Sequence, residues 1–334
     1  MKLVSFLKNG SECAGLISGD KVYDLYMLHA GLPDSMKGIL AGWEEYFPLL
    51  LKYSKEIDQS AKIKSRGLAF NEVHLMAPVP HPPSLRDGYA FRQHVETARR
   101  NRGLEMISLF DSFPVFYFGN HHSVKGPGPV HCMPDHFKKL DFELEAAVVI
   151  SRSGKNIRAE DADSFIAGLM IMNDFSARTL QMEEMLLNLG PAKGKDFATT
   201  TGPWLVTMDE LKACEVNCKK NHIGKSWNLK MSATVNDKMV SEGNLSDMEW
   251  TFAEIIERAS YGVELFPGDI IGSGTVGTGC FLELNGTGKL NNPDYAEQWL
   301  MPGDKIELKI DALGTLANQM LAEPSGYSIL QLKK

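Results

Sequence analysis

The sequence is poor in cysteine. Its 334 residues include five, Cys13, Cys132, Cys214, Cys218 and Cys280. A low, odd count argues against a disulfide scaffold and for a reducing, cytoplasmic setting. Cys214, Cys218 and His222 are spaced like metal ligands, but a structural zinc needs about four. With no fourth nearby, they are read as ordinary thiols. No run of about 18 apolar residues occurs, so no membrane span is expected. The opening MKLVSFLKNGSE is too short in its apolar part to be a signal peptide. Positive charge is also in deficit: the net charge is -7. Such a chain lacks the field that draws nucleic acid or an anionic membrane. There is no serine nucleophile elbow. The glycines of GSGTVGTG are read as not preceding a helix, which removes the nucleotide-binding reading.

What is present is a folded core: 43% of residues are apolar and 23% charged. The first 28 residues read as short strands broken by Gly-containing turns, and 35–60 as helix. The Pro-rich stretch VHLMAPVPHPPS marks the expected boundary between a small domain, 1–72, and a larger one, 73–334. RDGYAFRQHVETARRNRG reads as a loop entering a helix. Strands are expected at 114–118 and 141–151. After 229 strands dominate: LKMSATVND, DIIGSGTV, CFLELNG and DKIELKID. The expected class is a β-rich α+β fold without regular strand–helix alternation.

The segment LDFELEAAVVI carries the most chemical information. Side chains two apart on a strand share a face. Asp141, Glu143 and Glu145 are therefore expected to point one way. Like charges on a buried strand are costly unless compensated, and a hard cation with oxygen ligands compensates them. A solvated acidic face is the alternative. Asp174 in MIMNDFSAR follows an apolar run and is placed at the end of a buried strand. Lys195 in GKDFATTTGPW offers a positive charge for a substrate carboxylate or enolate oxygen. His94 offers a general base suited to neutral pH.

Taken in order, RDGYAFRQH, LDFELEAAVVI, MNDFSARTLQ, GKDFATTTGPW and GSGTVGTGCFLEL resemble the fumarylacetoacetate hydrolase family over about residues 70–320. The resemblance implies a β-sandwich-roll catalytic domain preceded by a small barrel-like N-terminal domain, in a homodimer. It implies Mg2+, or Ca2+ or Mn2+, held by Glu143, Glu145, Asp174 and Asp87, the last lying seven residues before His94. It implies that Glu283 orients His94, with Lys195 and Thr199 behind the metal. Substrate-contacting positions match Tyr89, Arg102, Tyr117, Gln181 and Thr275. Arg102 needs a one-residue gap, and Arg99 or Arg100 could replace it. A tyrosine that the fumarylacetoacetate-cleaving members carry after Gln181 is absent; Glu183, Glu184 and Met185 stand there.

The implied reaction is hydrolytic C–C cleavage of an acylpyruvate or other 2,4-dioxo acid by water activated at His94. Decarboxylation, hydration or isomerisation of a 2-oxo acid in aromatic catabolism is the near alternative. A non-catalytic metal-binding protein is the remoter one.

Overall fold

Short strands with consecutive buried residues, separated by Gly-containing turns, make the N-terminal hairpins. Lys2–Lys8 pairs antiparallel with Ser11–Ser18 across a two-residue turn. Asn9 and Gly10 both adopt positive φ there, 52° and 79°, as such a turn demands. Lys21–Asp24 continues the meander. This computed structural model describes residues 1–333.

The expected N-terminal barrel is not formed. Lys2–Lys8 also pairs antiparallel with Thr199–Thr207, with Leu3 opposite Leu205. The meander thus forms one flank of an open twelve-stranded sheet. From that flank the order runs through Thr199–Thr207, Ile166–Asp174, Leu144–Ile150, Ile270–Gly272, Leu85–Gly88 and Phe116–Gly119. A strand that spends its second edge on another partner cannot close a barrel. The side chains agree, since Leu3, Leu16, Leu205 and Ile270 share one buried cluster.

Leu144–Ile150 and Ile166–Asp174 are buried along their whole length. Apolar side chains on both faces make this the cheapest place for them. One face joins a second, five-stranded sheet ordered Lys238–Asn244, Lys230–Val235, Lys305–Ile310, Gly314–Ala322, Gly128–Cys132. Leu144, Ala146, Val148, Met231, Leu308 and Leu316 meet in the largest core cluster. The other face packs on the N-terminal helices Met36–Ala41 and Trp43–Gln59 through Ile39, Leu50 and Ile57.

Two local expectations fail together. CFLELNG is not a strand: Phe281–Asn291 is a helix, so the glycines of GSGTVGTG do run into one. Its first N–H groups are already taken, because Phe281 N and Leu282 N donate to the Asp141 carboxylate at 2.7 and 2.9 Å. A helix start satisfied by a distant carboxylate leaves no local capping signal to read, and these two amides are not available to a phosphate.

Candidate active site

Asp87 is the third residue of the Leu85–Gly88 strand, and Glu145 lies on the Leu144–Ile150 strand. Ile270–Gly272 runs between them, parallel to the first and antiparallel to the second. Gly272 makes the approach feasible. A Cβ there would stand 2.5 Å from Asp87 Oδ1 and 3.1 Å from Glu145 Oε2. Ligand atoms of Asp87, Glu143 and Glu145 all lie within 4.8 Å of one another, and all three residues are buried.

The electrostatics of this trio are uneven. Burial, reinforced by Asp174, pushes the Asp87 carboxyl up to about 8. Burial and then Asp87 drive Glu145 well above the carboxylate range. Burial also acts against ionised Glu143, but Lys195 and Arg178 outweigh it and hold Glu143 down to about 2. Glu145 accepts from Thr275 Oγ1 at 3.3 Å through one oxygen. Its other oxygen is buried and receives no N–H or hydroxyl donor; a proton shared with the neighbouring Asp87 carboxyl is what the metal-free site offers it. Clustered carboxylates, a raised proton affinity and an oxygen without such a donor fit a hard divalent cation with oxygen ligands.

Lys195 bridges two carboxylates, its Nζ donating to Glu143 Oε2 and Asp174 Oδ2, each at 2.5 Å. Burial opposes its charge, yet Asp174 and Glu143 raise its pKa above the ordinary lysine value. Asp174 is otherwise engaged by Thr199 Oγ1 at 3.1 Å and by the Tyr117 hydroxyl. The backbone enforces this grouping, because Asp174 faces Thr199 across the ladder.

His94 sits on the Arg92–Arg100 helix with its Nδ1 2.7 Å from Glu283 Oε2. The other ring nitrogen is left for chemistry. Tyr89 packs edge-on to this ring at 5.8 Å.

A cleft of about 960 Å3 collects most of these groups. Asp87, Tyr89, His94, Arg102, Tyr117, Glu143, Gln181, Lys195 and Thr275 line it. Glu145, Asp174 and Glu283 stand behind that lining, bonded to Thr275, Lys195 and His94, and Thr199 lies behind them, bonded to Asp174. Arg99 lines the cleft beside Arg102, whereas Arg100 turns away toward Thr287.

One residue of this network, Arg178, was not singled out from sequence. Arg178 donates to Asp141 at 2.9 Å, to Glu143 at 2.7 Å and to Gln181 at 2.9 Å. Asp141, expected from sequence to share a face with Glu143 and Glu145, instead serves Arg178 and the Phe281–Asn291 helix. The signal for Arg178 was the acid excess itself, since buried carboxylates in such number require cations.

The chain is similar over most of its length to known proteins. The C-terminal domain family of fumarylacetoacetate (FAA) hydrolase matches residues 84–321. Oxaloacetate tautomerase YisK of Bacillus subtilis is 34% identical over 319 residues, 91% of this chain and 94% of that protein. Fumarylacetoacetase of Oryza sativa is 36% identical over 200 residues, 51% of this chain but only 46% of that protein. Among solved structures, maleylpyruvate hydrolase from Sphingobium, in complex with manganese(II) and pyruvate, covers 96% of this chain and 99% of its own. The TM-score is 0.68 and the identity 20%, a likeness of fold. With the family match spanning most of its length and a full-length relative beyond it, the chain belongs to the fumarylacetoacetate hydrolase family.

Proposed function

We propose that this protein is a metal-dependent enzyme that interconverts the enol and keto forms of a small 2-oxo acid, an isomerase or tautomerase. The observation that carries this reading is the pairing, in one cleft, of a fixed lysine ammonium with a histidine held by a carboxylate. Moving a proton next to a carbonyl needs a base and a stabiliser of the enolate oxygen, and no more. Lys195 is held as a cation by Asp174 and Glu143, so it serves as stabiliser and not as base. His94, fixed through Nδ1 by Glu283, keeps its other nitrogen for the proton. Asp87, Glu143 and Glu145, with Asp174 beside them, would hold the cation. Mg2+ suits this set, as do Ca2+ and Mn2+. When bound, such a cation supplies Lewis-acid stabilisation of negative charge on substrate oxygens. Arg102 and Arg99 at the rim, with Tyr89 and Gln181, would orient the substrate carboxylate. The end-to-end match with a tautomerase, against a partial match with a C–C hydrolase, also favours isomerisation.

Hydrolysis of an acylpyruvate is the second reading. It is favoured by the His94–Glu283 pair, which would equally activate a water molecule. The two separate in deuterium oxide. Oxaloacetate and acetylpyruvate are each supplied with Mg2+, Mn2+ or Ca2+, and products are followed by proton NMR. Accelerated enol–keto exchange and deuterium entry at C3 without carbon–carbon cleavage is the expected result. Release of pyruvate and acetate from acetylpyruvate would replace isomerisation with hydrolysis. Wild-type protein inert toward both with every cation would sink both readings.

A further inference from the structure

Lys195 is delivered to the site by a short turn, and that turn rests on a carboxylate no part of the chemistry uses. Glu184 lies in the last turn of the Arg178–Leu186 helix, which carries no basic residue there. An acidic side chain at a helix C-terminus opposes the helix dipole and costs stability unless something compensates it. Here the compensation is three backbone amides. Ala192 N and Gly194 N donate to Glu184 Oε2 at 3.0 and 3.2 Å, and Lys193 N donates to Oε1 at 2.7 Å. Charge-assisted bonds of this kind are roughly twice as strong as neutral ones.

The turn is also pressed onto the helix backbone. A Cβ on Gly194 would come within 2.5 Å of Gln181 Cβ and 2.6 Å of its Cα. Ala177 N donates to Gly194 O at 2.8 Å. The turn is thus fixed at its glycine by shape and at its amides by Glu184. Lys195 follows directly, its own N–H bonded to Ala192 O at 2.9 Å.

We propose that Glu184 is a positioning residue for Lys195: it moors the 192–194 turn and so sets where the buried ammonium stands between Glu143 and Asp174. The rival is that Lys195 is held by its own two ion pairs, with Glu184 serving only the surface. This inference adds to the proposed function a residue outside the cleft lining, and its first test does not depend on turnover.

Glu184→Ala and Glu184→Gln are prepared in the full chain. In the wild type, the buried ammonium of Lys195 gives a slowly exchanging Nζ signal by NMR, identified by its loss in Lys195→Met. The amides of 192–194 are protected from hydrogen exchange. With Glu184→Ala, the amides lose protection and the Nζ signal shifts or broadens away. Glu184→Gln, which keeps one acceptor oxygen, restores part of both. An unmoved Nζ signal in Glu184→Ala would overturn the proposal even if the amides exchange faster.

The kinetic arm uses enol–keto exchange of oxaloacetate. Glu184→Ala should lower kcat roughly 10- to 100-fold, the scale of an ångström misplacement, with KM within about twofold. The same substitution should have no further effect on kcat in a Lys195→Met background. Additive losses in that background would also refute the inference. Wild-type protein without turnover would count against the proposed function alone, and the Nζ signal would still decide for or against Glu184.

Discussion

Glu145 is the residue whose environment makes least sense without a cation. It is fully buried, its pKa is driven up by burial and Asp87, and one of its oxygens meets no N–H or hydroxyl donor, leaving it a proton shared with the Asp87 carboxyl. Such a group strains the metal-free fold and contributes only when a positive charge arrives. Glu145→Gln is therefore expected to lower divalent-metal affinity about tenfold or more, about 1.4 kcal/mol. It should leave the melting temperature of the metal-free protein unchanged or raised. Calorimetric titration with Mn2+ and thermal melts in chelator check the two halves, and unchanged affinity would remove Glu145 from the site. Glu143 and Glu145 do meet at one site, although Glu143 stands in the break before the Leu144–Ile150 strand, its N–H held by Asn173 Oδ1, so strict period-two alternation is not what joins them. The shared face expected from spacing does not extend to Asp141, because residues 142 and 143 leave the ladder. That break turns Asp141 toward Arg178 and the start of a helix.

At the scale of elements, the Phe281–Asn291 helix shows where reading from sequence stops. CFLELNG alternates apolar and polar residues in a way that fits a short strand as well as a helix. The deciding interaction comes from Asp141, whose carboxylate takes two amides at the helix start, and no local pattern encodes a partner 140 residues away. This helix carries Glu283, and through it the orientation of His94. Removing the Asp141 carboxylate leaves Arg178 buried with only part of its compensation and frees the helix start. Asp141→Ala is expected to cost about 3–5 kcal/mol, the usual scale for breaking a buried pair. It should also lower kcat by displacing Glu283. Urea unfolding measures the first effect. A loss under about 1 kcal/mol would mean that the helix is placed by packing alone. The strands beside Glu143 and ending at Asp174 were easier to read, since their apolar runs are long and bounded, whereas the Thr-rich strand Thr199–Thr207 has no such run and was not read.

Across the whole molecule, the N-terminal hairpins read correctly as strands but not as a separate barrel. Which strand uses its second edge on which partner is a long-range choice that composition does not record. The consequence is mechanical continuity: one sheet runs from the N-terminal meander to the strands bearing Asp174, Glu145 and Asp87. Global stability should therefore report on the charge state of the site. In metal-free protein Asp87 holds its proton up to about pH 8, against an ordinary aspartate value of 3.8. The folded state then binds more protons than the unfolded chain between those two values, so stability falls as pH rises through that interval. Glu143 works in the opposite sense and lower down. Held at about 2, it contributes stability that is lost only as pH falls below the ordinary carboxylate range. A divalent cation competes with the Asp87 proton, so its affinity should climb with pH and level off above about 8, by up to about tenfold per unit for one displaced proton. Melting curves at pH 5, 6, 7 and 8, in chelator and in excess Mn2+, test both statements. The expected pattern is a melting temperature that declines with pH in chelator and a metal-induced increment that grows with pH. An increment independent of pH would mean that the cation does not displace the proton on Asp87, and that it binds elsewhere.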